Sequence, residues 1–521
     1  MADHRFPSSG SGAIVSTAEQ HEWWQRQITR RRFLAGSGIA AAAGPAVWLR
    51  TSSSYPSAPP SGIHLAYGSD PTSEMSVTWQ VNIPVVQPYL RLGTSRGALT
   101  EKIGAELKNL TTAFPGQPLL EQYYVQARVR NLQPDTTYYY TIGHEGHPGG
   151  TPRSFRTAPQ PNSGRLFTFT AFGDQSVHAS AHAMDRVVAA QRPAFHLLAG
   201  DIAYADNDGR GYRPARVKGL TSDVFHPGIW DQYLAQIAPV ASQIPWMVTM
   251  GNHDMEALYS PNGYGGQLSR FAFPGNGPVS CPTVYSFTYE NVAFLALDAN
   301  DVSYEIRANL GYSDGEQTKW IAAELSKYRS QAGIDFIVVF LHHCAYSTGR
   351  THGSDGGVRE HWSPLFDQYQ VDLVINGHNH IYERTDPIRG GIVHRAAPAG
   401  TVVRPATDGT TYLTAGGGGR DVALFPVGQS YAGHVDNVES IRTQYWAGAR
   451  DLKHQEVQWS QTRFEGYSVV AVDVVPGHSG RTTQMTLRTL DTAGTEVDRV
   501  ILQRTAGQAW SPADELSTVA F

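Results

Sequence analysis

Five apolar runs in this chain each break off into a short polar cluster: "RLFTFTAFGD", "AFHLLAGD", "PWMVTMGNHD", "DFIVVFLHH" and "VDLVINGHNH". Continuous apolar runs of this length read as buried strands. The stretches between them are long enough for helices, so the region reads as an α/β domain. In open α/β sheets, ligands gather beyond the carboxyl ends of the strands, which lets residues far apart in sequence meet. The clusters supply Asp174, Asp201 with Tyr204 three residues on, Asn252 and His253, His342, and His378 with His380. A single Asp after a strand is commonly a helix cap, and a lone His is commonly structural. Five strand ends that all carry metal-capable side chains point instead to a metal centre.

Upstream the texture is different. Residues 51–61, "TSSSYPSAPPS", are a Ser/Pro-rich linker. Alternating strand patterns then fill 62–158, among them "MSVTWQV" and "YYVQARVRNLQPDTTYYYTI". The order Leu132, Pro134, Thr136, Tyr138, Tyr140 resembles the corner of fibronectin type III and immunoglobulin-like sandwiches, where a Tyr hydroxyl ties one strand to the chain upstream. A hinge, "APQPNSG", leads into the α/β region, placed at 165–505, to which "TTYLTAGGGG" and "YSVVAVDVV" add later strands. The expected fold is therefore multidomain: an N-terminal all-β, fibronectin III-like sandwich followed by an α/β domain with mixed sheets.

Residues 1–50 hold "ITRRRFLAGSGIAAAAGPAVWL", where Thr29, Arg30, Arg31, Phe33 and Leu34 follow the order of a twin-arginine export signal. Its weakly hydrophobic segment falls short of the roughly 20 residues that a membrane span needs. The expectation is an exported protein, secreted or held at the cell envelope, with no stable span. A net charge of -5 supplies no basic footprint for nucleic acid or anionic membranes. Cys281 and Cys344 are the two cysteines, without CxxC spacing, and read as buried apolar fillers.

The order GD, GDxxY, GNH, H, GHxH resembles the metallophosphoesterase superfamily. Tyr204 in "GDIAYAD" together with "GHNHIYER" resembles specifically the purple acid phosphatases, which also carry an N-terminal fibronectin-like sandwich. Generic metallophosphoesterases place a His two residues after the first Asp. Here that residue is Ser176, and Tyr204 replaces the missing ligand. The resemblance implies that Asp174, Tyr204 and His380 bind iron(III), that Asn252, His342 and His378 bind a divalent ion (Fe, Zn or Mn), and that Asp201 bridges the two. A phenolate is a hard anionic donor suited to a trivalent ion, whose charge would deprotonate a phenol of ordinary pKa near 10. The ions would activate water to attack a phosphoryl group, at acid pH if one of them is ferric.

For the leaving group, the resemblance implies His253 and His352 as outer catalytic histidines. Strand alternation would turn His343 away from His342, and it is left out of the site. Asp206 and Asp254 read as carboxylates that orient histidines or as solvated loop charges. The activity implied is an acid phosphatase acting on small-molecule phosphate monoesters. A phosphodiesterase with the same metals is the alternative. A surface-binding protein with an inert α/β domain is a third reading, disfavoured by the intact donor set.

Overall fold

In a computed structural model, the structure describes residues 58–112, 119–207, 209, 225–256, 262–426, 434–436, 440–508 and 510. The twin-arginine segment and most of the 51–61 linker lie outside them. Among the described residues, no helix is long and apolar enough to cross a membrane.

The N-terminal strands form two four-stranded antiparallel sheets. One contains Ser61–Tyr67, Met75–Val81, Leu120–Val129 and Glu106–Thr112, in that order. The other contains Glu101–Gly104, Tyr89–Gly93, Thr137–Gly143 and Arg153–Arg156. Alternation along these strands buries Val77, Trp79, Leu90, Leu92, Tyr124 and Tyr140 between the sheets and against the next domain. The corner forms as expected: the backbone N–H of Gln133 donates to the Tyr138 hydroxyl at 2.9 Å.

The second domain is built on two mixed sheets. The strands Phe167–Phe172, Phe195–Leu198 and Trp246–Val248 run parallel in a seven-stranded sheet, which continues through the antiparallel strands Ser468–Val475, Thr482–Asp491 and Glu496–Thr505 to Val402–Val403. Val292–Ala296, Phe336–Phe340, Leu373–Asn376 and Thr411–Ala415 run parallel in an eight-stranded sheet. The sheets meet through aromatic rings: Phe169 and Phe195 each lie edge-on to Phe294, at 5.1 Å in both cases. Helix Ala179–Gln191 packs on the first sheet and Glu316–Ser330 on the second, while Gly228–Ala241 packs against the sandwich strand Ser61–Tyr67 and against Ala179–Gln191; the continuous apolar runs are buried on both faces.

A polar seam joins the domains. Gln122 and Gln80 both donate to Asp231 Oδ1 on the helix Gly228–Ala241, Gln122 at 2.7 Å. Gln126 donates to the carbonyls of Ser269 and Phe271, at 3.1 Å each. Arg270 is fully buried, grips both oxygens of buried Glu256 at 2.8 and 2.7 Å, and lies 4.5 Å from the Trp230 ring. Glu256 stands four residues beyond Asn252, so the sandwich supports the loop that carries "GNHD".

Candidate metal centre

The loops after the parallel strands put the donor atoms into two adjoining groups. In the first, the Tyr204 hydroxyl lies 2.9 Å from Asp174 Oδ1 and 2.9 Å from His380 Nε2, and His380 Nε2 lies 3.3 Å from Asp174 Oδ1. In the second, His342 Nε2 is 3.1 Å from Asn252 Oδ1 and 3.2 Å from His378 Nδ1. Asp201 Oδ2 is 3.2 Å from His342 Nε2, and Asp174, Asp201 and His342 offer ligand atoms within 4.8 Å of one another. His378 and His380, one residue apart, thus face different groups.

The backbone bends sharply to do this. Asp174, Ser176, Asp201, Tyr204 and His378 all have left-handed φ, at 61°, 65°, 51°, 56° and 69°. For a residue as bulky as Tyr204 this is uncommon, and such conformations persist where the surroundings over-determine them. Here the two Asp loops lace together: Asp174 N–H donates to the Gly200 carbonyl at 3.0 Å, Gln175 N–H to that of Asp201 at 3.1 Å, and Ser176 N–H to that of Ile202 at 2.9 Å. His378 N–H donates to Asp174 Oδ2 at 2.8 Å. Gly251 admits this crowding, since a Cβ there would stand 2.1 Å from Asp201 Oδ1.

The donor set fits metal ions, because the outward-facing atoms are held by protein acceptors. His342 Nδ1 donates to the Ala199 carbonyl and His380 Nδ1 to the Asp421 carbonyl, both at 2.8 Å, while Asn252 Nδ2 donates to the Gly209 carbonyl at 2.8 Å. Those bonds turn the two Nε2 atoms and Asn252 Oδ1 inward. The field favours positive charge as well. Burial lowers the His342 imidazole, but the Asp201 and Asp174 carboxylates outweigh it and push it up to about 9. Burial raises the Asp201 carboxyl, but His342 and His253 outweigh it and hold it well below the usual carboxylate range. Tyr204 is pushed well above its ordinary value by burial and by Asp174, so its phenol would ionise only beside a strong cation.

The outer histidines are both at the site. His253 Nδ1 donates to the Asp206 backbone carbonyl at 2.6 Å, leaving Nε2 at 3.9 Å from Asp201 Oδ2. The Asp206 group that orients His253 is thus its carbonyl rather than its carboxylate. Asp254 is buried, and among the described residues its carboxylate meets backbone N–H groups rather than a histidine. It accepts the N–H groups of Gly251, Asp201 and Ile202 at 2.8, 2.9 and 3.1 Å, tying two motif loops together. The His352 ring lies against that of His378, with centroids 4.0 Å apart and the planes tilted by 33°.

One expectation is overturned. The strand before the histidine pair ends at Phe340, so alternation does not extend to His343. Its fully buried ring lies 4.4 Å from that of His378, and burial holds it well below its ordinary pKa. Sequence reasoning also passed over two residues. Arg420, after the run "AGGGG", lies 4.6 Å from the Tyr204 ring and donates to Asn207 Oδ1 at 3.0 Å. Glu305 accepts from His352 Nδ1 at 2.7 Å and from His378 Nε2 at 3.0 Å. Arg420 has a weak signal in its position after a glycine run that closes a strand. Glu305 has none.

Known proteins share this architecture. Residues 60–157 match the family described as "Purple acid Phosphatase, N-terminal domain", and residues 167–382 match "Calcineurin-like phosphoesterase". An uncharacterized protein of Mycobacterium tuberculosis is 33% identical, across 91% of this chain and 94% of its own length. Purple acid phosphatase 18 of Arabidopsis thaliana is 26% identical, across 72% and 74% respectively. The solved structure of a purple acid phosphatase from yellow lupin seeds shares the fold, with a TM-score of 0.65 at 19% identity, covering 89% of this chain and 78% of that one. With both halves of the architecture matched in order, the chain belongs to the purple acid phosphatase family of calcineurin-like phosphoesterases.

Proposed function

We propose that this protein is an exported acid phosphatase that hydrolyses small phosphate monoesters at a dinuclear centre. Asp174, Tyr204 and His380 would hold iron(III), Asn252, His342 and His378 a divalent ion, and Asp201 would lie between. The observation that carries this reading is the contact of the Tyr204 phenol with both a carboxylate and an imidazole, at 2.9 Å each: a hard, anionic oxygen set suits a trivalent ion. When bound, the ions lower the pKa of water and neutralise phosphoryl charge, and a trivalent one does so at lower pH.

The chain's own groups do the rest. His253, pinned through Nδ1 to the Asp206 carbonyl, can present a proton on Nε2 to the leaving oxygen. His352, held at Nδ1 by Glu305, has Nε2 left for the same task. Arg420 adds a cation beside Tyr204 on a chain that is acidic overall, which favours an anionic ester locally. Export through the twin-arginine segment is consistent with a protein that takes up its ions before translocation.

The test compares p-nitrophenyl phosphate with its bis-ester, using metal-loaded protein from acidic to alkaline pH. Monoester preference with a maximum below neutrality is expected. Diester preference, or an alkaline maximum, would replace the reading with a phosphodiesterase and count against the ferric ion. Tyr204→Phe is expected to abolish any visible phenolate-to-iron absorption band and to lower iron content, read by absorbance and elemental analysis. An unchanged spectrum would exclude Tyr204 as a ligand.

A further inference from the structure

One carboxylate outside the donor set touches both halves of the proposed machinery. Glu305 Oε2 accepts from His378 Nε2 at 3.0 Å and Glu305 Oε1 from His352 Nδ1 at 2.7 Å. The side chain is only 11% exposed. Its backbone is held as well: Asp355 accepts from Ser303 Oγ at 2.7 Å and from the N–H groups of Tyr304 and Glu305 at 3.1 and 3.3 Å. Asp355 in turn accepts from Gly357 N–H at 2.8 Å at the start of the helix Gly356–His361. The irregular segment 303–305 is thereby fixed against the element that follows His352.

From this geometry we infer that Glu305 is a positioning residue, which sets the tautomer and orientation of His378 for the divalent ion and aligns His352 beside it. The inference rests on the proposed assignment of His378. An imidazole offers one lone pair when neutral, and a carboxylate on Nε2–H places that lone pair on Nδ1. His378 Nδ1 is the atom that faces His342 Nε2, at 3.2 Å. A carboxylate on the far nitrogen also raises the basicity of a ligating imidazole, and removing such a partner typically weakens metal affinity about 10–100-fold. Because the other Glu305 oxygen holds His352, whose ring lies 4.0 Å from that of His378 at a tilt of 33°, a single side chain keeps ligand and outer histidine in register. Among the described residues, no comparable carboxylate holds the outer nitrogens of His342 or His380, which donate to backbone carbonyls.

The test is metal binding by full-length protein, measured with Zn²⁺ by chelator competition and elemental analysis, beside steady-state kinetics. Glu305→Gln is expected to weaken the divalent ion about 10–100-fold while iron content stays at the wild-type level, with Glu305→Asp recovering part of the loss. His352→Asn, which removes the outer imidazole and its ring contact but leaves the Glu305–His378 bond, is expected to lower kcat with Zn²⁺ affinity retained. Wild-type Zn²⁺ affinity in Glu305→Gln would overturn the inference. So would loss of both ions with a lowered melting temperature, which would mark a collapse of the loop. Glu305, His352 and His378 also offer ligand atoms within 4.8 Å of one another, so a third bound ion in wild type that Glu305→Gln abolishes would overturn it in favour of a separate site. Wild-type protein that takes up no divalent ion would instead remove the His378 assignment, a failure seen without any variant.

Discussion

Asp201→Asn is expected to reduce phosphate-ester hydrolysis by roughly a thousand-fold while the protein stays folded. Asp201, on the loop laced to that of Asp174, is the carboxylate that reaches the His342 side, 3.2 Å from His342 Nε2, with its other oxygen accepting the His253 N–H at 2.8 Å. Asn keeps the shape and removes the charge. If Asp201 lies between two cations, that charge accounts for several kcal/mol of the electrostatics that hold and use them. At about 1.4 kcal/mol per decade of rate, a thousand-fold loss corresponds to about 4 kcal/mol. Metal content should fall in parallel, and the melting curve should separate this loss from unfolding. Activity equal to wild type would undermine the whole metal assignment, whereas the expected loss removes the reading of an inert domain.

Arg270→Met is expected to cost about 3–5 kcal/mol of stability, because it strands a buried carboxylate. Both members of the Arg270–Glu256 pair have fully buried side chains. Burial already pushes the Glu256 carboxyl up, and Arg270 is the largest influence opposing it. The double variant Arg270→Met, Glu256→Leu should recover much of the loss, since apolar replacement of a whole buried pair is often close to neutral. Urea midpoints of the wild type, both single variants and the double variant form the cycle. Additive losses would show that the pair is not coupled. Because Gln267 donates to both the Asp254 carbonyl and Glu256 Oε1, at 3.0 and 3.2 Å, Arg270→Met should also weaken metal retention at the adjoining loop.

The strands that carry the site were legible because each is a continuous apolar run with an abrupt polar end, a pattern that burial on both faces of a parallel sheet enforces. Val338, Phe340, Leu373 and Ile375 are fully buried. The donors were legible because they cluster in the few residues that follow those runs. His343 was misjudged because the two-residue period belongs to a strand, and the chain leaves the strand at Phe340. Glu305 and Arg420 were not legible because each is a single side chain on an irregular loop. What places Glu305 is a hydrogen bond from its own N–H to Asp355, 50 residues away, and no local pattern encodes such a partner. Asp206 shows a finer limit: its residue type suggested a carboxylate, while its backbone carbonyl holds His253.

The seam between the domains has a consequence for how the chain is made. The sandwich strands end by Arg156, yet the surfaces that cover Gln122, Gln126 and Tyr124 come from residues 227–271, more than 70 positions later. At roughly 5–20 residues per second, the sandwich spends several seconds outside the ribosome with one flank uncovered. Synthesis of this protein therefore passes through a stage in which the first half must be kept from premature association until its own catalytic half arrives to cover it.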